Sequence, residues 1–314
     1  MTYQRRILIT GGAGNIGGAL ASRLAGDPEN YVVVVDDLST GSTAKLPDPK
    51  LPNWRFIKLD VNDQPAIASV MTSIAFDYVF HYAAVVGVQR TLERPLLVLR
   101  DIEGIKNILE LSKNTGVRRV FYSSSSEVYG EPFEFPQNEH TTPLNSRLPY
   151  AIVKNLGESY FKSYQREFGL PCTIFRFFNT YGPRQSEDFV LPKLVNAALT
   201  GKPLTVYGDG SQTRTFCYID DNIDTIRRVL YEDLWINETA NVGSDREVTI
   251  LELAQMVVAQ TGGTAALTHL PPLPEGDMTR RCPDITKMKA ILGRNLVSLE
   301  DGIERLIQSK RAES

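Results

Sequence analysis

Arg6-Ile-Leu-Ile-Thr-Gly-Gly-Ala-Gly-Asn-Ile-Gly17 is the stretch from which the fold is read. Its first five residues form a short apolar run of the kind that makes a buried strand. Gly11, Gly14 and Gly17 follow at once, and Ala19 to Leu24 behind them is rich in Ala and Leu, which predicts a helix. In a strand, glycine turn and helix, the main chain can come close to a pyrophosphate. The helix N-terminus adds free N–H groups and a partial positive charge. Outward from there, Tyr31-Val-Val-Val-Val35 predicts a second strand that ends in Asp36-Asp37. An acidic side chain at that strand end accepts hydrogen bonds from an adenosine ribose 2′-hydroxyl and repels a 2′-phosphate. Asp37, Leu38 and Ser39 offer no arginine, so NAD is expected rather than NADP.

Further strands are predicted at Arg55–Leu59, Tyr78–His81, Arg119–Tyr122 and Thr173–Arg176, with helical stretches between them such as Leu96 to Asn114. Strands rich in Val, Ile and Phe alternating with helices predict an α/β, Rossmann-like doubly wound parallel sheet covered on both faces. After Arg176 the alternation loosens. Loops rich in Pro and Gly take over at Tyr181–Ser186, Tyr207–Ser211 and Pro271–Gly276, and such loops commonly carry ligand contacts.

The chain has 314 residues, enough for one large domain or two coupled ones. Its 34 basic and 37 acidic side chains nearly cancel, without a basic stripe for nucleic acid. Cys172, Cys217 and Cys282 are odd in number and far apart, which argues against a disulfide framework or zinc knuckle and for a reducing, cytoplasmic compartment. His81, His140 and His269 are too scattered to propose a metal site. No stretch is long enough to span a bilayer.

Tyr150 and Lys154 stand four apart in Pro-Tyr-Ala-Ile-Val-Lys, with Ser123 to Ser126 upstream. Positions i and i+4 share a helix face. A lysine ammonium there favours the phenolate and makes the tyrosine a base for an alcohol near neutral pH. Ser125 could hold the same substrate oxygen from the other side.

Together, Thr10–Gly17, Asp36–Gly41, Asp60-Val61, His81–Ala84, Ser123–Gly130, Tyr150-x-x-x-Lys154, Arg176–Arg184 and Tyr207–Arg214 resemble the extended short-chain dehydrogenase/reductase family over nearly the whole length. The resemblance is to its nucleotide-sugar epimerases, dehydratases and decarboxylases. It implies an NAD-binding domain of residues 1–179 plus about 215–245. A smaller discontinuous lobe of about 180–214 plus 246–314 would hold a nucleoside diphosphate sugar, with UDP expected. It assigns Gly11, Gly14, Asn15, Ile16, Gly17, Asp36, Asp60, Val61, Ala83, Tyr150 and Lys154 to the cofactor. Ser125, Asn179, Leu191, Tyr207, Arg214 and Arg281 are assigned to the substrate, with Arg280 an alternative to Arg281. It also implies a homodimer through the helix bearing Tyr150 and the helix around Leu96 to Leu111. Departures are Asp101 where the family usually has asparagine, Glu275 before Gly276-Asp277, and Phe189.

In the chemistry that the resemblance implies, Tyr150, Lys154 and Ser125 serve oxidation of the sugar at C4. The 4-ketone then has three fates: epimerisation, 4,6-dehydration, or loss of CO₂ from a uronate. Ser125-Ser126-Glu127 lacks the aspartate of the TDP-glucose dehydratases and resembles UDP-glucuronate decarboxylases and GDP-mannose dehydratases, where the glutamate acts beyond C4. The loop His81–Arg90 and the run Tyr150–Glu158 resemble epimerases, and a UDP-sugar 4-epimerase is the expectation, with, as alternative, a UDP-glucuronate decarboxylase or a sugar-nucleotide dehydratase that uses Glu127. Arg90 and Arg184 are candidates to hold a uronate carboxylate. A catalytically silent NAD-binding regulator and a small-alcohol dehydrogenase are the rival classes.

Overall fold

The structure is a computed structural model that describes residues 3–131, 133–263, 265–272 and 279–313, except the side chains of Val88, Gln89 and Glu313. In chain order the first part holds β1 (Arg5–Thr10), α1 (Asn15–Ala25), β2 (Asn30–Asp36), β3 (Trp54–Lys58), α2 (Gln64–Ser73) and β4 (Tyr78–His81). It continues with α3 (Val88–Glu93), α4 (Pro95–Leu99), α5 (Asp101–Thr115), β5 (Arg119–Ser125), α6 (Pro149–Phe168) and β6 (Cys172–Phe177). Then follow β7 (Thr180–Tyr181), α7 (Val190–Leu199), β8 (Leu204–Tyr207), β9 (Thr213–Thr215), β10 (Cys217–Tyr218) and α8 (Ile219–Tyr231). The last part is β11 (Glu238–Val242), β12 (Glu247–Thr249), α9 (Ile250–Thr261), β13 (Leu267–Leu270), α10 (Thr286–Leu292) and α11 (Leu299–Glu313).

Seven strands make one sheet in the order β11-β6-β5-β4-β1-β2-β3, and β1 runs parallel to both β2 and β4. The strand order therefore reverses at β1. In open α/β sheets the crevice at such a switch point, beyond the carboxyl ends of the strands, is where ligands bind. Register sets Thr10 beside Val35 and His81, and His81 beside Tyr122, so the ends of β1, β4 and β5 are level. The expected α/β Rossmann-like sheet is thus the observed one. Val33, Val35, Val79 and Val120 from the sheet are buried with Ile67 of α2, Ile105 and Ile108 of α5 and Phe161 of α6.

One expected element is divided. The helix read over Leu96–Asn114 is α4 and α5, separated at Arg100. Arg100 keeps helical angles, but the Glu103 N–H bonds the Arg100 carbonyl three residues back at 3.0 Å. That is the tighter 3₁₀ pitch, which interrupts an α-helix without any proline or glycine to announce it.

The chain divides into two compact units, residues 1–128, 146–177 and 226–240 in the first and 129–145, 178–225 and 241–314 in the second. The second unit carries three two-stranded ladders, β7 with β10, β8 with β13 and β9 with β12. Its helix α9 opens on a capping box, Thr249 accepting from the Glu252 N–H while Glu252 accepts from the Thr249 N–H.

Candidate active site

The glycine turn sits at the end of β1. Gly11 has φ +67°, and a side chain there would place its Cβ 2.5 Å from the Ala83 nitrogen. A Cβ on Gly17 would run into the Gly11 carbonyl oxygen. Gly14 caps α1 without a capping side chain, and Asn15, Ile16 and Gly17 open the helix. The first-turn N–H groups of α1 lack intrahelical partners, as in every α-helix. A main-chain cradle with no room for side chains, at a helix N-terminus, fits the pyrophosphate of NAD.

Asp36 closes β2 and is buried. Its carboxylate accepts from the Ala13 N–H at 2.9 Å and the Leu38 N–H at 2.8 Å. Burial raises its pKa, and those two bonds oppose the rise. The carboxylate thereby holds the glycine turn in place. Asp60 and buried Val61 follow β3 and are held from α5: Asn107 Nδ2 donates to the Val61 carbonyl at 3.0 Å, and the Gly104 N–H donates to Asn62 Oδ1 at 2.9 Å. Ala83 lies in the loop after β4, where its N–H donates to Thr10 Oγ1 at 3.3 Å. Thr10 Oγ1 also lies 2.9 Å from His81 Nδ1. Burial, helped by Lys154, lowers the His81 pKa to about 3, so this imidazole is neutral at physiological pH.

Tyr150 is half-buried in the first turn of α6, and Lys154 one turn later is buried. Lys154 Nζ donates to the Ser123 carbonyl at 2.7 Å and to Ser123 Oγ at 3.4 Å. It lies 5.1 Å from the ring centroid of Tyr122 and 5.7 Å from that of Tyr150. Burial lowers its pKa to about 8, with Asp101 opposing. Ser125 is buried at the end of β5, where Oγ accepts from the Glu127 N–H at 3.2 Å, and Glu127 itself is half-buried. The end of β5 and the start of α6 are thus joined through Lys154.

The sequence did not point to what fixes α6 in this position. Glu158, one more turn along the Tyr150–Lys154 face, receives a bidentate bond from Arg176 on β6 at 2.8 and 2.7 Å. It also accepts from Ser124 Oγ on β5 at 2.6 Å, and all three side chains are buried. The spacing Tyr150, Lys154, Glu158 was a usable signal, since i, i+4 and i+8 share a stripe.

In the second unit, Asn179 donates from Nδ2 to the Thr215 carbonyl at 3.0 Å. Arg214 is buried on β9 and donates to the Thr213 carbonyl at 2.7 Å, while Leu191 is buried in the first turn of α7. Tyr207 ends β8, with Lys193 Nζ 5.7 Å from its ring centroid. The two neighbouring arginines differ: Arg280 is exposed and paired bidentately with Glu247 at 2.7 and 2.6 Å, whereas Arg281 is buried. Arg90 donates to the Val86 carbonyl at 2.9 Å in the first unit, and Arg184 is exposed in the second. Phe189 is the N-cap residue of α7. Glu275 and Gly276-Asp277 lie outside the described residues, as does most of the loop Pro271–Gly276. Among the described residues no group of three His, Cys, Asp or Glu could hold a metal ion, and no helix is long and apolar enough to cross a membrane.

Comparison with known proteins identifies the family. Residues 7–243 match the model of the NAD dependent epimerase/dehydratase family. The chain is 36% identical to the UDP-N-acetyl-alpha-D-glucosaminuronate decarboxylase of Bacillus cytotoxicus, covering 97% of both chains. It is 34% identical to UDP-glucuronic acid decarboxylase 1 of Danio rerio, over 97% of this chain and 72% of that one. The solved UDP-glucose 4-epimerase of Thermotoga maritima, with UDP-glucose, superposes with a TM-score of 0.91 at 31% identity, over 98% of this chain and 99% of that one. A glycine cradle at the sheet's switch point and likeness to nucleotide-sugar enzymes over nearly the whole chain lead to one conclusion: the chain belongs to the NAD-dependent epimerase/dehydratase family.

Proposed function

We propose that the protein oxidises the sugar of a UDP-hexose derivative at C4, and that its favoured substrate is a hexuronate that then loses CO₂. The observation that carries the first step is the buried Lys154, held against Ser123 and beside the Tyr150 ring. A phenolate at Tyr150 takes the 4-hydroxyl proton, and Ser125 Oγ hydrogen-bonds the oxygen as it becomes a carbonyl. When bound, NAD supplies the acceptor for the C4 hydride and gives the hydride back at the end. Asn179, Leu191, Tyr207, Arg214 and Arg281 are proposed to hold the nucleotide. Arg281, buried, suits a diphosphate, and Arg280, already occupied by Glu247, does not.

With a ketone at C4, a C6 carboxylate belongs to a β-keto acid. The C5–C6 bond breaks, CO₂ leaves, the electron pair passes to the C4 oxygen as an enolate, and C5 takes a proton. Two observations support this outcome. Glu127 stands two residues beyond Ser125, where its N–H donates to Ser125 Oγ, and its carboxylate is proposed to serve the step past C4. The decarboxylases of Bacillus cytotoxicus and Danio rerio, acting on uronates by name, align along 97% of the chain.

Epimerisation at C4, the outcome expected from the sequence, is the second reading. It is favoured by the likeness to the Thermotoga maritima 4-epimerase. Incubation with UDP-glucuronate, UDP-N-acetylglucosaminuronate, UDP-glucose and UDP-N-acetylglucosamine separates the two. Released CO₂ with a pentose product supports decarboxylation, an epimer of unchanged mass supports epimerisation, and no change in any of the four overturns both.

The protein is further proposed to act as a homodimer in a reducing, cytoplasmic compartment. Leu96 is 78% exposed on α4, and Ile152 and Leu156 are exposed on α6, an apolar surface suited to a second copy. A monomeric mass by light scattering would remove that part.

A further inference from the structure

Tyr122 lies on β5 one residue before Ser123, and its buried ring meets three residues of α6: Lys154, Gly157 and Phe161. Those positions are i, i+3 and i+7, the spacing of one helix face. Phe161 stacks on the Tyr122 ring with centroids 4.6 Å apart, and the Lys154 ammonium lies 5.1 Å from the centroid of the same ring. His81, the register neighbour of Tyr122 on β4, stacks on it at 6.1 Å with 18° between the planes.

Gly157 gives the ring its room. Glycine inside a helix is less favourable than alanine, so a buried glycine within the 20-residue α6 calls for a reason. A Cβ there would run into Tyr122 Oη and lie 2.5 Å from Cζ. Phe161 and His81 keep the ring from swinging aside. The hydroxyl gains nothing at this place, since among the described residues it has no hydrogen-bond partner. What Tyr122 offers α6 is the face of its ring. Lys154 is buried, and its acceptors at Ser123, a carbonyl and a hydroxyl, are neutral. An ammonium withdrawn from water is attracted to an aromatic face.

We propose that Tyr122 is a positioning residue for Lys154, its ring holding the ammonium against Ser123, and that Gly157 is the gap in α6 that lets the ring reach it. The inference rests on the reading of Lys154 as the charged neighbour of Tyr150.

The titratable groups around Lys154 are Tyr122 on β5, Tyr150 on its own helix, neutral His81 on β4, and Asp101, which opens α5 and favours the ammonium through its charge. All but Tyr122 are kept in the variants below. Burial lowers the Lys154 pKa to about 8. A ring that favours the ammonium opposes that fall, so its removal moves the midpoint further down.

Tyr122→Leu keeps apolar bulk and removes the ring, whereas Tyr122→Phe keeps the ring and removes the hydroxyl. The readout is the carbon-13 shift of the Lys154 ε-carbon against pH in lysine-labelled protein saturated with NAD, assigned by Lys154→Arg. In Tyr122→Leu the midpoint should fall by about one pH unit, the size of a desolvated ring–cation contact. In Tyr122→Phe it should stay at the wild-type value. Turnover should follow, down about 10-fold in Tyr122→Leu with KM for the nucleotide sugar unchanged, and kept in Tyr122→Phe. Gly157→Ala, a better helix former, should nevertheless lower the midpoint by displacing the ring. Adding Tyr122→Phe to Gly157→Ala removes the atom nearest the new methyl and should bring the midpoint back toward wild type. A folding defect in Tyr122→Leu leaves the Gly157 pair as the test. A wild-type midpoint in folded Tyr122→Leu or Gly157→Ala overturns the inference, as does an equal fall in Tyr122→Phe. If no nucleotide sugar is turned over, the proposed function fails while the Lys154 titration still decides this point.

Discussion

Lys154 Nζ donates to the Ser123 carbonyl across 2.7 Å and so ties the second turn of α6 to the carboxyl end of β5. The bond fixes where the ammonium sits and, through it, where the Tyr150 oxygen acquires a charged neighbour. Replacing Lys154 by Met removes the charge and the tie while keeping an apolar stem. Turnover should fall by at least about 100-fold, the low end of what a general base contributes. Binding of NAD, followed by isothermal calorimetry, should weaken as well. Unchanged turnover would leave the tyrosine without need of its neighbour.

Ser125 is expected to act on the substrate oxygen. A hydrogen bond to a group gaining charge is worth about 1.5–3 kcal/mol, so Ser125→Ala should slow turnover roughly 10- to 100-fold. Ser125→Thr, which keeps the hydroxyl, should recover much of the loss. Steady-state kinetics of the two variants side by side make the test.

Glu127 separates the outcomes of the ketone. For a decarboxylase, Glu127→Gln should depress CO₂ release by about 100-fold while C4 oxidation persists, so that reduced nicotinamide accumulates. An epimerase needs no added group after C4, and the same variant should keep epimerising within a few-fold. Chromatography of the sugar products together with nicotinamide absorbance distinguishes these results.

The Glu158–Arg176 pair predicts a stability effect with a defined pH dependence. Burial acts to raise the Glu158 carboxyl, but Arg176 and Ser124 outweigh it and hold it below its ordinary 4.5. A carboxyl depressed in the folded state stabilises fully above 4.5, and the contribution is lost as pH falls through the lower folded value. Arg176→Met leaves Glu158 buried without its partner and should cost about 3–5 kcal/mol at neutral pH. In urea denaturation the gap to wild type should narrow as pH drops below 4.5. A gap that stays constant with pH would mean the pair is not ionised in the folded protein.

Much of the sheet could be read in advance, because burial writes itself locally. Val32 to Val35 and Tyr78 to His81 are unbroken runs of strand formers, and both lie inside strands. Gly11 and Gly17 announced a turn that tolerates no side chain, and in the structure a Cβ there would strike main-chain atoms of Ala83 and Gly11. The features that escaped depend on residues far apart in the chain. Arg280 and Arg281 are adjacent and alike in sequence, yet Arg280 is exposed and pairs with Glu247 on β12 while Arg281 is buried. Asp101 reaches Val85 across a loop and two short helices, and Glu158 finds Arg176 on another strand. No periodicity encodes such pairings. The break at Arg100 was hidden for another reason: a change of helical pitch needs no special residue type.

The most direct test of C4 oxidation by Tyr150 is to mix the NAD-loaded enzyme rapidly with the nucleotide sugar it turns over and record the absorbance of reduced nicotinamide, for wild type and for Tyr150→Phe. Wild type should show a transient rise, and Tyr150→Phe should show it slowed by about 10²–10⁴-fold with NAD still bound. An equally fast rise in the phenylalanine variant would contradict the account.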